Sequence, residues 1–127
     1  MAEIFPNIPL IRYEGPKSQN PLAFKFYDPE RIVYGKPMKE HLPFAMAWWH
    51  TLCNAGKDMF GDPTADKTFG APQDDMARAR SKVDAGFEFM TKAGIRYFCF
   101  HDADLVPEAE DIAVTNRRLD EISDYIL

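Results

Sequence analysis

From residue 43 onward the chain alternates between two hydrophobic periods, and this alternation limits its fold more than any other feature. Residues 43–52 read PFAMAWWHTL, a dense apolar run bounded by Pro43 and by polar residues. The run suits a strand buried on both faces, although its alanines and methionine leave a helix open. Residues 74–93 carry Met76, Ala79, Val83, Phe87 and Met90 at spacings of three and four, the stripe of an amphipathic helix. Asp74 and Asp75 open it, where free backbone amides favour carboxylates, and Gly94 closes it. Arg78, Arg80 and Lys82 fall on its other sides. Residues 95–100, IRYFCF, return to the β-branched and aromatic composition of a strand. Residues 108–127 then predict a second helix. Ile112, Thr115, Leu119, Ile122 and Ile126 share one face, and Glu108, Glu110 and Asp111 occupy its first turns.

The order strand, helix, strand, helix implies parallel strands joined by right-handed crossovers. Two parallel strands with helices on one side leave both edges open and one face bare. The chain also stops within the second helical pattern, at SDYIL. The expectation is an α/β fold, the N-terminal portion of a (β/α)8 TIM barrel with about two βα units. Residues 42–127 would form this incomplete barrel domain. Residues 1–41 form an irregular N-terminal arm, broken by prolines at 6, 9, 16, 21, 29 and 37. The arm is too apolar for a disordered tail, with Phe5, Ile8, Ile11, Tyr13, Leu22, Phe24, Phe26 and Tyr27, and is expected to pack on the barrel.

Charge narrows the partners. The 127 residues carry a formal net charge of -5, with basic residues scattered, which argues against a nucleic-acid or anionic-membrane surface. No stretch is apolar enough to span a bilayer, and the first fifteen residues lack the apolar core of a secretory signal. Cys53 and Cys99 lie in apolar contexts and read as buried small hydrophobes in a reducing compartment, so the expected location is the cytoplasm.

Catalytic groups in α/β folds collect at the carboxyl ends of strands, and FHDAD, residues 100–104, stands at such an end. His101 is the sharpest candidate, because a carboxylate within reach fixes its tautomer and frees the other ring nitrogen. It also suits a core histidine bonded to a backbone carbonyl. Asp104 can fold back onto it if the chain turns after the strand, and Asp102 can serve either as partner or as a turn residue. His-x-x-Asp alone lacks the further ligands of a metal site. Trp48 and Trp49 would face opposite ways on a strand, one under a helix and one toward the mouth. His50 stands at the strand end as a second polar group or a boundary residue. Residues 50–73 form a long Gly/Pro-punctuated loop, and such loops commonly have a function. Its Asp58-Met59-Phe60-Gly61 tip puts an aromatic side chain either down locally or out toward another surface.

These stretches together resemble the xylose isomerase family, in its longer group with an extended N-terminal segment. The resemblance is carried by NPLAFKFYD, FAMAWWHTLC, the DMFG of the loop, KVDAGFEFM and YFCFHDADL, in that order along the chain. It implies a (β/α)8 barrel in a homotetramer and interconversion of D-xylose with D-xylulose, and of D-glucose with D-fructose. The reaction so implied is ring opening followed by a metal-assisted hydride shift. The resemblance further implies that His101 acts in ring opening and that Asp104 orients it. Trp49 would line the sugar pocket, and Phe60 would reach a neighbouring subunit's pocket. Two divalent ions, Mg, Mn or Co, are implied as cofactors, with ligands beyond residue 127 and none assigned here. A non-catalytic barrel segment, or another sugar or sugar-phosphate isomerase or epimerase on the same barrel, is the alternative.

Overall fold

The structure, a computed structural model, describes residues 3–127. The arm begins with bends and turns joined by an isolated parallel bridge between Tyr13 and Phe24, and then forms a hairpin of β1 (Ile32–Val33) and β2 (Lys36–Pro37), followed by a single helical turn, α1 (Met38–His41). Tyr34 and Gly35 both take positive φ, 48° and 81°, the geometry a two-residue hairpin loop requires. The arm is tied to the long helix α2 (Asp75–Ala93). Glu88 accepts from the backbone amides of Ile4 and Phe5 at 2.6 and 2.9 Å, and the Ile11 amide donates to the Lys92 carbonyl at 2.8 Å. Phe24 packs edge-on against Tyr27, which packs edge-on against Phe44, whereas Phe26 stays exposed.

Beyond the arm the elements alternate as their periodicity predicts. β3 (Ala45–Ala47) pairs in parallel with β4 (Tyr97–Cys99), and α2 is the crossover between them. A four-residue helix, α3 (Asp102–Leu105), follows β4 and leads to α4 (Ile112–Ile126). The register sets Ala45 against Tyr97, Met46 against Phe98 and Ala47 against Cys99. This is a β–α–β–α order resembling part of a TIM barrel, and no closed barrel forms among the described residues.

The run at residues 43–52 does not stay extended. Only Ala45–Ala47 is strand. The backbone turns helical at Trp48 (φ -64°, ψ -38°), and Trp49–Cys53 forms a π-helical turn. The winding brings Trp48 and Leu52, four residues and about one turn apart, into the core together. The two tryptophans do have different surroundings, but helical winding separates them rather than the pleat. Trp48 is wholly buried and packs against Phe87, Phe98 and Phe100.

The expectation of burial on both faces fails for the same sheet. Met46 is buried and its partner Phe98 packs on the core, so that face lies under the helices. Tyr97 is 52% exposed on the other face, and Cys99, expected to be buried, is exposed with it. α2 follows its predicted stripe: Ala79, Val83 and Met90 are buried, and Met76 and Phe87 pack against the same core. Its ends are as the sequence implies. Asp74 caps the Ala77 amide at 2.7 Å, and Gly94 takes the left-handed conformation at φ 70°. The last helix starts later than predicted, at Ile112 after the Asp111 cap, and Ile112 is 71% exposed rather than on the buried face. Thr115, Leu119, Ile122 and Ile126 hold that face.

Candidate functional site at the strand ends

The candidate site is built by register. Ala47 and Cys99 are paired across the sheet, and Trp49 and His101 each lie two residues beyond them. Both therefore emerge side by side at the carboxyl ends of the parallel strands. Their ring centroids are 4.6 Å apart with planes inclined at 44°. The His50 ring lies 5.7 Å from Trp49, and His50 is exposed.

Asp104 is the partner of His101. The chain turns into α3 directly after His101, so the residue three positions on points back over the helix start. Its Oδ2 accepts from the His101 backbone amide at 2.7 Å and lies 3.0 Å from Nδ1. A carboxylate accepts only, so Nδ1 is the donor in this pair, and in the neutral ring Nε2 presents a lone pair. Asp104 is 9% exposed, whereas the His101 side chain is 66% exposed. The anchoring carboxylate is thus buried while the imidazole is largely exposed. Asp102 takes the other role: its Oδ1 accepts from the Ala103 amide at 2.8 Å, a local turn contact.

Two side chains beneath this pair escape notice in the sequence. Lys82 Nζ, on α2, donates to the Asp104 backbone carbonyl at 2.6 Å, and the Cys53 thiol donates to the same oxygen at 3.6 Å. Burial pushes the Cys53 thiol up from its ordinary value, and the Asp104 charge adds to this, so the sulfur stays a protonated donor despite nearby Lys82. The only signal for Lys82 was positional. It adjoins the buried stripe, three residues after Ala79, and is half-buried at the boundary of that face.

Phe60 stands apart from this cluster. It is 89% exposed at the tip of the loop, next to an equally exposed Met59. Asp58 shapes the tip by accepting from the Phe60 amide at 2.7 Å. The loop is pinned at its flanks, where Lys67 Nζ donates to the Thr51 carbonyl and Ser81 Oγ to the Phe69 carbonyl, each at 2.9 Å. Of the two side-chain placements open in the sequence, the outward one is observed.

A metal centre does not fit the described residues, among which no group of three or more His, Cys, Asp and Glu side chains could hold an ion. No helix among them is long and apolar enough to cross a membrane.

Known proteins of similar sequence are xylose isomerases. A xylose isomerase of Thermotoga neapolitana is 55% identical over 122 residues, which is 96% of this chain and 28% of that protein. Over this length the chain is similar to members of the xylose isomerase family. The xylose isomerase of Thermoanaerobacter pseudethanolicus is 50% identical over 120 residues, 94% of this chain and 27% of its own length. That of Phocaeicola vulgatus is 50% identical over 123 residues, 97% of this chain and 28% of its own. The chain therefore spans little more than a quarter of the curated xylose isomerases it matches. No family model matches it.

Proposed function

We propose that this chain supplies the first two βα units and the ring-opening residues of an aldose–ketose isomerase. Its substrates would be D-xylose and D-xylulose, with D-glucose and D-fructose as further substrates. The observation that carries the reading is the Asp104–His101–Trp49 arrangement in a chain 55% identical to a xylose isomerase.

The geometry suits a cyclic sugar. The flat Trp49 ring offers an apolar face to the C–H side of a pyranose. His101, held through Nδ1, offers Nε2 to the hydroxyl at C1. In ring opening, Nε2 takes the O1 proton, C1=O1 forms as the C1–O5 bond breaks, and the same proton returns to O5. The open aldose becomes the ketose when hydrogen moves from C2 to C1 and the O2 proton passes to O1. Asp104 keeps the imidazole in one tautomer and orientation through the cycle.

The proposal extends to the whole protein: an eight-stranded barrel and a homotetramer in the cytoplasm, with Phe60 reaching a neighbouring subunit's sugar pocket. Two divalent ions, Mg, Mn or Co, would supply electrostatic stabilisation of the sugar oxygens when bound, on residues outside those described. The test is isomerisation of xylose by the whole protein, measured as ketose formed in the presence of each ion. A folded protein that forms no xylulose with any of them would sink the reading.

A further inference from the structure

We propose that Lys82 is a positioning residue for the His101–Asp104 pair, acting through the backbone carbonyl of Asp104. The inference deepens the isomerase reading and rests on it for its effect on turnover, but its structural half stands on the contacts alone.

α3 has only four residues, so it cannot satisfy its own carbonyls internally. Only the Asp102 carbonyl is taken up by the chain that follows, from the Val106 amide at 3.3 Å. The Asp104 carbonyl turns instead toward α2, where Lys82 Nζ reaches it at 2.6 Å. A cation on a carbonyl at a helix C-terminus is both a charge-assisted hydrogen bond and a favourable partner for the helix dipole. The Cys53 thiol contributes the weaker contact from the π-helical turn. Three elements thus converge on one backbone oxygen: α2, the turn after β3, and α3. On its side-chain end the same residue holds the His101 amide and ring through Oδ2. Moving the Asp104 backbone moves Oδ2, and with it the Nδ1 contact that selects the tautomer. Lys82 bonds the Asp104 carbonyl and Asp104 bonds the His101 ring, so the action of Lys82 on the ring is indirect.

The experiment uses the whole protein with Lys82→Met, which keeps the aliphatic stem and removes the donor, and Lys82→Arg, which restores a cationic donor. The first readout is the 15N spectrum of the His101 imidazole. The native protein shows the Nδ1–H tautomer, Lys82→Met shows a mixture with Nε2–H, and Lys82→Arg restores the native pattern. The second is kinetics. Lys82→Met lowers kcat about tenfold to a hundredfold, the scale of a slightly misplaced catalytic group, with KM within about twofold, and Lys82→Arg recovers most of the loss. An unchanged tautomer and kcat in a folded Lys82→Met protein would overturn the proposal. If Lys82→Met fails to fold, Lys82→Arg decides: native turnover with a native tautomer supports the positioning role, and a mixed tautomer in that folded variant rejects it. The isomerase reading fails separately, as a protein with the native His101 tautomer and no isomerisation.

Discussion

His101 owes its orientation to a turn that begins at its own carbonyl. The first turn of α3 brings the Asp104 carboxylate back over His101, so one oxygen serves both the amide and the ring. The side chain itself is not packed in, and replacing it should leave the core intact. In the whole protein His101→Gln is expected to lower turnover of cyclic xylose by about 100-fold to 10,000-fold, the usual worth of a positioned acid–base group. The thermal midpoint should barely move. Steady-state kinetics with a melting curve checks both, and near-native kcat would remove His101 from the mechanism. Gly86 is the opposite kind of residue, fixed by packing alone. A Cβ there would stand 3.0 Å from Leu52 Cδ1 and 3.2 Å from Trp48 Cζ2. Alanine would gain about 1 kcal/mol of helix propensity. Overpacking against a buried indole costs about 1–3 kcal/mol. Gly86→Ala should therefore destabilise by about 1 kcal/mol net, read from denaturant unfolding of the whole protein. A more stable variant would show that the α2–Trp48 contact has slack.

At the scale of elements, the arm and α2 meet through charge as well as apolar contact. Burial alone would push the Glu88 carboxyl up, but the Lys92 ammonium and the Ile4 and Phe5 amides outweigh it and hold it below its ordinary 4.5. A lowered folded value means that the docked arm favours the ionised form. Its contribution is complete above about pH 4.5 and is lost as pH falls through the folded value. Acidification below pH 4.5 should therefore loosen residues 3–5 before α2 melts. Amide protection factors of Ile4 and Phe5, corrected for intrinsic exchange, are the measurement. Glu88→Gln should reproduce the loosening at neutral pH. Equal protection of these amides at pH 7 and pH 3 would show that apolar contacts alone hold the arm.

Across the whole molecule the sheet is lopsided. One face of β3–β4 carries Met46 and Phe98 into the core under the helices. The other exposes Tyr97 and Cys99, and Phe44 and Phe100 are exposed just before β3 and just after β4. Both outer edges of the parallel pair lack a strand partner among the described residues. Trp48 Nε1 is buried with no hydrogen-bond partner among them. Such a surface invites association, and net stability is a small remainder after conformational entropy is subtracted. The 127-residue polypeptide on its own is expected to be inactive and to form no stable monomer. Near-ultraviolet circular dichroism checks this through the two tryptophans. A strong signal lost in one cooperative urea transition, from a species that sediments as a monomer, would contradict it. So would isomerisation of xylose by that polypeptide.

Local chemistry decided what the sequence determines by itself. The stripe and caps of α2 were legible because helix periodicity, an Asp cap and a terminal Gly act within a few residues of one another. The candidacy of His101 and Asp104 was legible for the same reason, since their bond spans three residues, although the choice of Asp104 over Asp102 needed the turn itself. The strand at residues 43–52 misled because its apolar run fits a buried strand and a buried helical turn equally well. Tertiary contact broke the tie by drawing both Trp48 and Leu52 against α2. The neighbourhood of Trp49 and His101 required the register of two strands whose paired residues, such as Ala45 and Tyr97, are far apart in the chain. The grip of Lys82 and Cys53 on the Asp104 carbonyl required three elements to converge. None of these has a sequence period, because each depends on the distance between elements rather than on the spacing within one.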